Sequence, residues 1–232
     1  MRPSSPLQVT KKLAGADAGT TLWISSVGNE LGQVLMSVLT TAEGPGLRDM
    51  ARGLQERYQR AGNEPPKVLY VDRDCCRRDG ETCATAALFP AWPHLTVRLD
   101  TWHFMRRLAA GVTSESHPLY PDFMWRLSGC IFEWDAEDLF LLETALQADQ
   151  SRRRQTTSIK KKRRHCRRRT RGAQETKCLL GETVQAFMGA TDATNTPLLD
   201  RCHMEEILET QRHPIPCIQV QLLHKIIQHV LC

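Results

Sequence analysis

An α/β layer followed by a mostly helical region is the fold class this chain predicts. Three observations carry it. Two short apolar runs, Val68-Leu69-Tyr70-Val71 and Leu95-Thr96-Val97-Arg98-Leu99, each deliver an aspartate at their ends, Asp72 and Asp100. Two runs rich in β-branched residues, 21–28 and 33–41, precede them. Helix-period segments separate the later runs, as crossover connections in a mixed sheet require. All five tryptophans fall within the first 134 residues, so the packable material is concentrated there.

The elements follow in chain order. Residues 1–20 read as an irregular N-terminal segment. The strands TLWISSVG and QVLMSVLTT are linked by Asn29-Glu30-Leu31-Gly32, a Gly-containing link that suits a hairpin. Residues 46–61 form a helix, because Leu47, Met50, Leu54 and Tyr58 recur at three- and four-residue spacing. Gly62-Asn63 closes it and Pro65-Pro66 blocks any continuation. A strand over 67–72, a helix around 80–88, a strand over 95–100 and a helix from Thr101 to about Ala110 complete a core spanning 21–118. Residues 119–150 form a helical insertion, marked by Phe123, Leu127, Ile131 and Trp134, then Leu139, Leu142 and Leu146. A basic arm occupies 151–172. The region 173–232 reads as helical: helices over 173–190 and 198–211, then an amphipathic tail whose Ile218, Leu222, Leu223, Ile226, Ile227 and Val230 share one side.

The net charge is +5, but residues 152–171 hold 12 Lys/Arg and no Asp or Glu, so the remainder of the chain is net acidic. Such a block is a footprint for nucleic acid or for nuclear import machinery. The group Lys160-Lys161-Lys162-Arg163-Arg164, with Arg167, Arg168 and Arg169, supplies the cations. They predict weak, sequence-independent and salt-sensitive DNA binding. No aromatic residue interrupts the block, so base stacking is not expected from it. Nine cysteines without an apolar leader fit reduced thiols. No apolar run approaches the length of a membrane span. A nuclear, otherwise cytoplasmic, location is expected, with no membrane partner. An exposed apolar face on the tail would favour self-association.

The stretch 22–107 resembles the Mutator-like element transposases, which are of the RNase H-like, DDE type. The resemblance rests on LWISSVGNELGQVLMSVLT, GLRDMARGLQERY, VLYVDRD, ALFPAWPH and LDTWHFMRR, in that order. It implies an incomplete RNase H-like mixed sheet with flanking helices, followed by a mostly helical insertion. Enzymes of this type hold two divalent metals, magnesium for preference, with three carboxylates, and one metal activates the attacking oxygen. The resemblance makes Asp72 the second carboxylate and metal ligand, with Asp74 and Asp100 as further acidic residues beside it. Where the first carboxylate is expected stand Pro3, Ser4, Ser5 and Pro6, and Asp17 lies on the wrong side of Lys11-Lys12. No strand-then-Glu element follows the insertion; Glu133, Glu137 and Glu143 fit only if the insertion is short. The expectation is a transposon-derived protein, truncated at both ends, that associates with nucleic acid and does not cleave it. An active metal-dependent transposase or nuclease is one alternative, and a structural remnant another. Without the resemblance, Asp72 and Asp74 are turn residues capping a helix. Cys75, Cys76, Cys83 and His103 lack the repeated spacing of a zinc site, and His103 is expected to be packed or hydrogen-bonded.

Overall fold

The structure, a computed structural model, describes residues 23–29, 31–40, 47–72, 75, 83–148, 157–218 and 226–231. The chain divides into two units, Met1–Phe104 with Leu223–Cys232, and Met105–Leu222. It is of mixed α/β class.

The first unit is built on a five-stranded sheet. Strands β1 (Trp23–Asn29) and β2 (Val34–Thr40) pair antiparallel. Asn29 and Gly32 make the turn the sequence calls for. The Asn29 Oδ1 accepts from the backbone N–H groups of Leu31 and Gln33, at 3.1 and 2.9 Å. Gly32 takes φ +74°, where a side chain would be strained. Helix α1 (Leu47–Arg60) buries Met50, Ala51 and Leu54. It stops at Gly62, whose φ of +63° is the left-handed geometry of a helix C-terminus. Strands β3 (Val68–Val71) and β4 (Thr96–Leu99) then pair in parallel. All four residues of β3 are buried, as befits a strand covered on both faces. Between them the expected helix around 80–88 is, within the described residues, a 3₁₀ turn, Ala86–Leu88. It leads to Phe89 and Trp92, stacked with centroids 5.0 Å apart, and Tyr58 meets Trp92 edge-on at 5.2 Å. These rings pack with Val27, Leu54, Leu69 and Val71 into one apolar cluster. Each such side chain removed from water stabilises the unit by about 1.5–3 kcal/mol. Helix α2 (Thr101–Ala109) starts where the sequence places it.

The C-terminal tail overturns its reading as a helix. After a short 3₁₀ segment, Ile215–Ile218, residues Ile226–Leu231 form a strand. Numbered in chain order it is the seventh strand, β7, and it enters the first unit's sheet. The sheet order is β2-β1-β7-β3-β4, so β7 is the central strand. It runs antiparallel to β1 and parallel to β3. The physical reason is a tertiary demand. β1 and β3 share no ladder of their own, and their inner edges would leave backbone groups unpaired without a strand between them. A short, β-branched segment meets that demand.

The second unit is helical around a small hairpin. Helix α3 (Tyr120–Ile131) leads into β5 (Phe132–Trp134), and α4 (Ala136–Ala148) follows. Then come α5 (Ile159–His165), β6 (Arg168–Thr170), α6 (Ala173–Phe187) and α7 (Arg201–Gln211). Phe123, Leu127 and Ile131 of α3 and Leu180 and Val184 of α6 are buried, and the Phe123 and Phe187 rings meet edge-on at 5.5 Å. The described part of the expected basic arm is therefore folded: it forms α5 and β6 rather than an extended tail. Cys75, Cys83, Cys130, Cys166, Cys178 and Cys202 are free thiols, whereas Cys217 is disulfide-bonded. Among the described residues no helix is long and apolar enough to cross a membrane.

Candidate functional site

In the first unit the parallel pairing of β3 and β4 brings two aspartates to one edge of the sheet. Val71 is in register with Leu99, and the Asp100 amide donates to the Val71 carbonyl at 2.8 Å. Asp72 and Asp100 thus leave the sheet side by side at the carboxyl ends of their strands, where α/β proteins place ligands. Their environments differ. Asp100 is buried and caps α2: its Oδ1 accepts from the His103 backbone N–H at 3.0 Å and meets His103 Nδ1 at 2.9 Å. With Nδ1 as donor, the remaining ring nitrogen, Nε2, is the acceptor in neutral His103. Trp102, 63% exposed, stands edge-on to the imidazole with centroids 4.9 Å apart. His103 is hydrogen-bonded, as its position before Phe104 predicts. Asp72 is half-buried, and its Oδ1 is shielded from solvent.

Among the described residues, the acids at these strand tips do not make up the carboxylate set of a two-metal centre. The Asp100 carboxylate already serves His103, and β7, the strand beside β3, reads Ile-Ile-Gln-His-Val-Leu and brings no acid. Among the described residues no three His, Cys, Asp or Glu side chains gather as a cation would need. Asp74, Asp17 and Cys76 lie outside the described residues. Of the late candidates, Glu133 lies on β5 and is ion-paired, as described below, whereas Glu137 and Glu143 lie on α4.

The basic block lies in the second unit, where the structure sorts its cations into two sets. Arg167, Arg169 and Arg171 are neutralised. The Arg167 guanidinium grips Asp138 with Nε and Nη2, each at 2.9 Å, while its backbone N–H donates to the same carboxylate at 2.7 Å. These bonds hold the Asp138 carboxyl down to about 2. The Glu133 carboxylate takes Arg169 at 2.9 Å on one oxygen and Arg171 at 3.3 Å on the other. Arg171 also pairs with Glu175 at 2.5 Å. By contrast, Lys160, Arg163 and Arg164 are exposed on α5. No carboxylate among the described residues pairs with them. Lys161 and Lys162 on the same helix are half-buried.

Arg168 belongs to neither set. Its Cζ lies over the Phe132 ring at 4.4 Å and near the Trp134 ring at 5.7 Å. Its Nη2 donates to Ser128 Oγ at 3.0 Å. Burial, then the charge of Arg163, make its protonated form less favourable than usual. The aromatic partners escape a reading of the block alone, because they come from 36 and 34 residues upstream. The signal for them was FEWDAED at 132–138, an acidic segment alternating with aromatics and so complementary to RRRTR.

Comparison of this chain with protein-family models, with curated proteins and with solved structures returns no match.

Proposed function

We propose that this is a transposase-derived protein with an RNase H-like sheet, which binds nucleic acid through its basic block and does not cleave it. The observation that carries the reading is the exposed, unneutralised row Lys160, Arg163 and Arg164 on α5 in an otherwise net acidic chain. Cations already matched by carboxylates have little to offer a phosphate; these three are unmatched among the described residues. The mixed sheet supports the RNase H-like part: its central strand is antiparallel to one neighbour and parallel to the other, and aspartates stand at two strand tips. The commitment of Asp100 to His103 and the acid-free β7 support the absence of cleavage, because one aspartate cannot hold two metal ions. A DNA partner implies a nuclear location.

The test is duplex affinity by fluorescence anisotropy across a salt series, with a parallel magnesium titration by calorimetry. The wild-type protein should bind with a steep salt slope. Replacing Lys160, Arg163 and Arg164 by Gln should weaken binding and lower that slope by roughly 2–3, about one for each phosphate no longer neutralised. An unchanged slope defeats the binding assignment. A tight two-site magnesium isotherm abolished by Asp72→Asn defeats the non-cleaving one.

A further inference from the structure

The strand alternation of the small hairpin separates its arginine positions by purpose. Trp134 faces Arg168, Glu133 faces Arg169, and Phe132 faces Thr170. Because neighbours along a strand point to opposite faces, Glu133 and Arg169 share one side and Phe132, Trp134 and Arg168 share the other. One side is thereby an internal ion pair. The other is an arginine laid across two aromatic rings, with no carboxylate among the described residues to balance it.

Cation–π contact with the two rings and the Ser128 hydrogen bond fix the Arg168 guanidinium plane. Arg168 is nonetheless exposed. The acids of the neighbourhood, Glu133 and Asp138, are spent on Arg167, Arg169 and Arg171. An anion beside Arg168 meets that unspent charge. A flat group attached to that anion finds a guanidinium backed by Phe132, with Trp134 beside it. Phosphate joined to a planar base describes a nucleotide, and unstacked bases occur in single strands, not inside a duplex.

We infer that the face formed by Phe132, Trp134 and Arg168 is a stacking surface for single-stranded nucleic acid. The inference rests on the nucleic-acid reading above and sharpens it from phosphate binding to base binding. The phosphate falls to the Arg168 charge, and the base to the Arg168 plane and the Trp134 edge of the hairpin. Single strands bind this face more tightly than duplex does.

The experiment compares a labelled oligothymidylate with a duplex of equal length, at one salt concentration, by anisotropy. Trp134→Leu should lower single-strand affinity by at least about fivefold, since one stacked base is worth roughly 1–3 kcal/mol, and change duplex affinity less than about twofold. Trp134→Phe should restore most of the loss, which separates stacking from a damaged fold. Arg168→Lys keeps the charge and loses the plane, so it too should weaken the single strand selectively. Equal losses on both nucleic acids, or no preference for the single strand in the wild type, overturn this inference while the charge-dependent reading stands. If the wild type binds neither probe, both fall together.

Discussion

Two halves of the basic block carry the same residue types and have opposite fates. On α5, Lys160, Arg163 and Arg164 stay exposed without acidic partners among the described residues. On and around β6, Arg167, Arg169 and Arg171 are locked to Asp138, Glu133 and Glu175. The first half is surface charge available to a partner. The second is part of the second unit's own construction, tying the hairpin strand and α4 to the chain 29 to 38 residues further on. A run of arginines is therefore not one object. What distinguishes its members is whether the fold delivers a carboxylate, as it does to Arg167, Arg169 and Arg171.

The largest break in that contrast comes from Glu133→Gln, which strips the shared partner from Arg169 and Arg171 at once. It should destabilise the second unit by about 1–2 kcal/mol, a modest figure because both arginines are partly solvated. It should also strengthen duplex binding, since Arg169 is released to the phosphate field while Arg171 keeps Glu175. Chemical denaturation and anisotropy on the same preparation check both. If stability falls and affinity does not rise, the two halves are not interchangeable reservoirs of charge.

A smaller effect is expected from acid. The Asp138 carboxyl is lowered from an ordinary 3.8 to about 2, first by the Arg167 side chain and then by its backbone N–H. A depressed acid adds stability that is present above its unfolded value and is lost as the pH falls through the folded one. The contribution should thus fade between about pH 4 and pH 2. Thermal melts of wild type and Asp138→Asn should differ above that window and converge below it; parallel curves across the window contradict the assignment. The smallest effect belongs to α5: replacing Lys160, Arg163 and Arg164 together by Gln should leave stability within about 0.5 kcal/mol. A larger loss in denaturation would mean these cations are structural after all.

Much of the first unit was legible. Leu47, Met50, Leu54 and Tyr58 mark a helix by spacing alone, and Gly62 with Pro65 and Pro66 stops it. The Asn29 to Gly32 link reads as a turn because both ends have a physical job there. Asp72 and Asp100 read as strand tips because a short apolar run precedes each. The tail was not legible. Ile218, Leu222, Leu223, Ile226, Ile227 and Val230 satisfy a helical period, and a short apolar run cannot be assigned by period alone. What decides it is the gap between β1 and β3, a property of residues more than 150 positions away. The same remoteness hid the charge pairs: composition locates Arg167 to Arg171, but not the Glu133 and Asp138 that neutralise them. The pairing of Arg168 with Phe132 and Trp134 depends on strand register, which one residue of slippage would reverse.

The central position of β7 has a consequence for how the chain is made. The hairpin of β1 and β2 leaves the ribosome early, as do β3 and β4, yet no ladder joins these pairs until Ile226–Leu231 has been synthesised. The first half of the protein must wait for the last, holding open edges through the translation of an entire second unit. Sheets closed by such distant partners form slowly and are vulnerable to aggregation meanwhile.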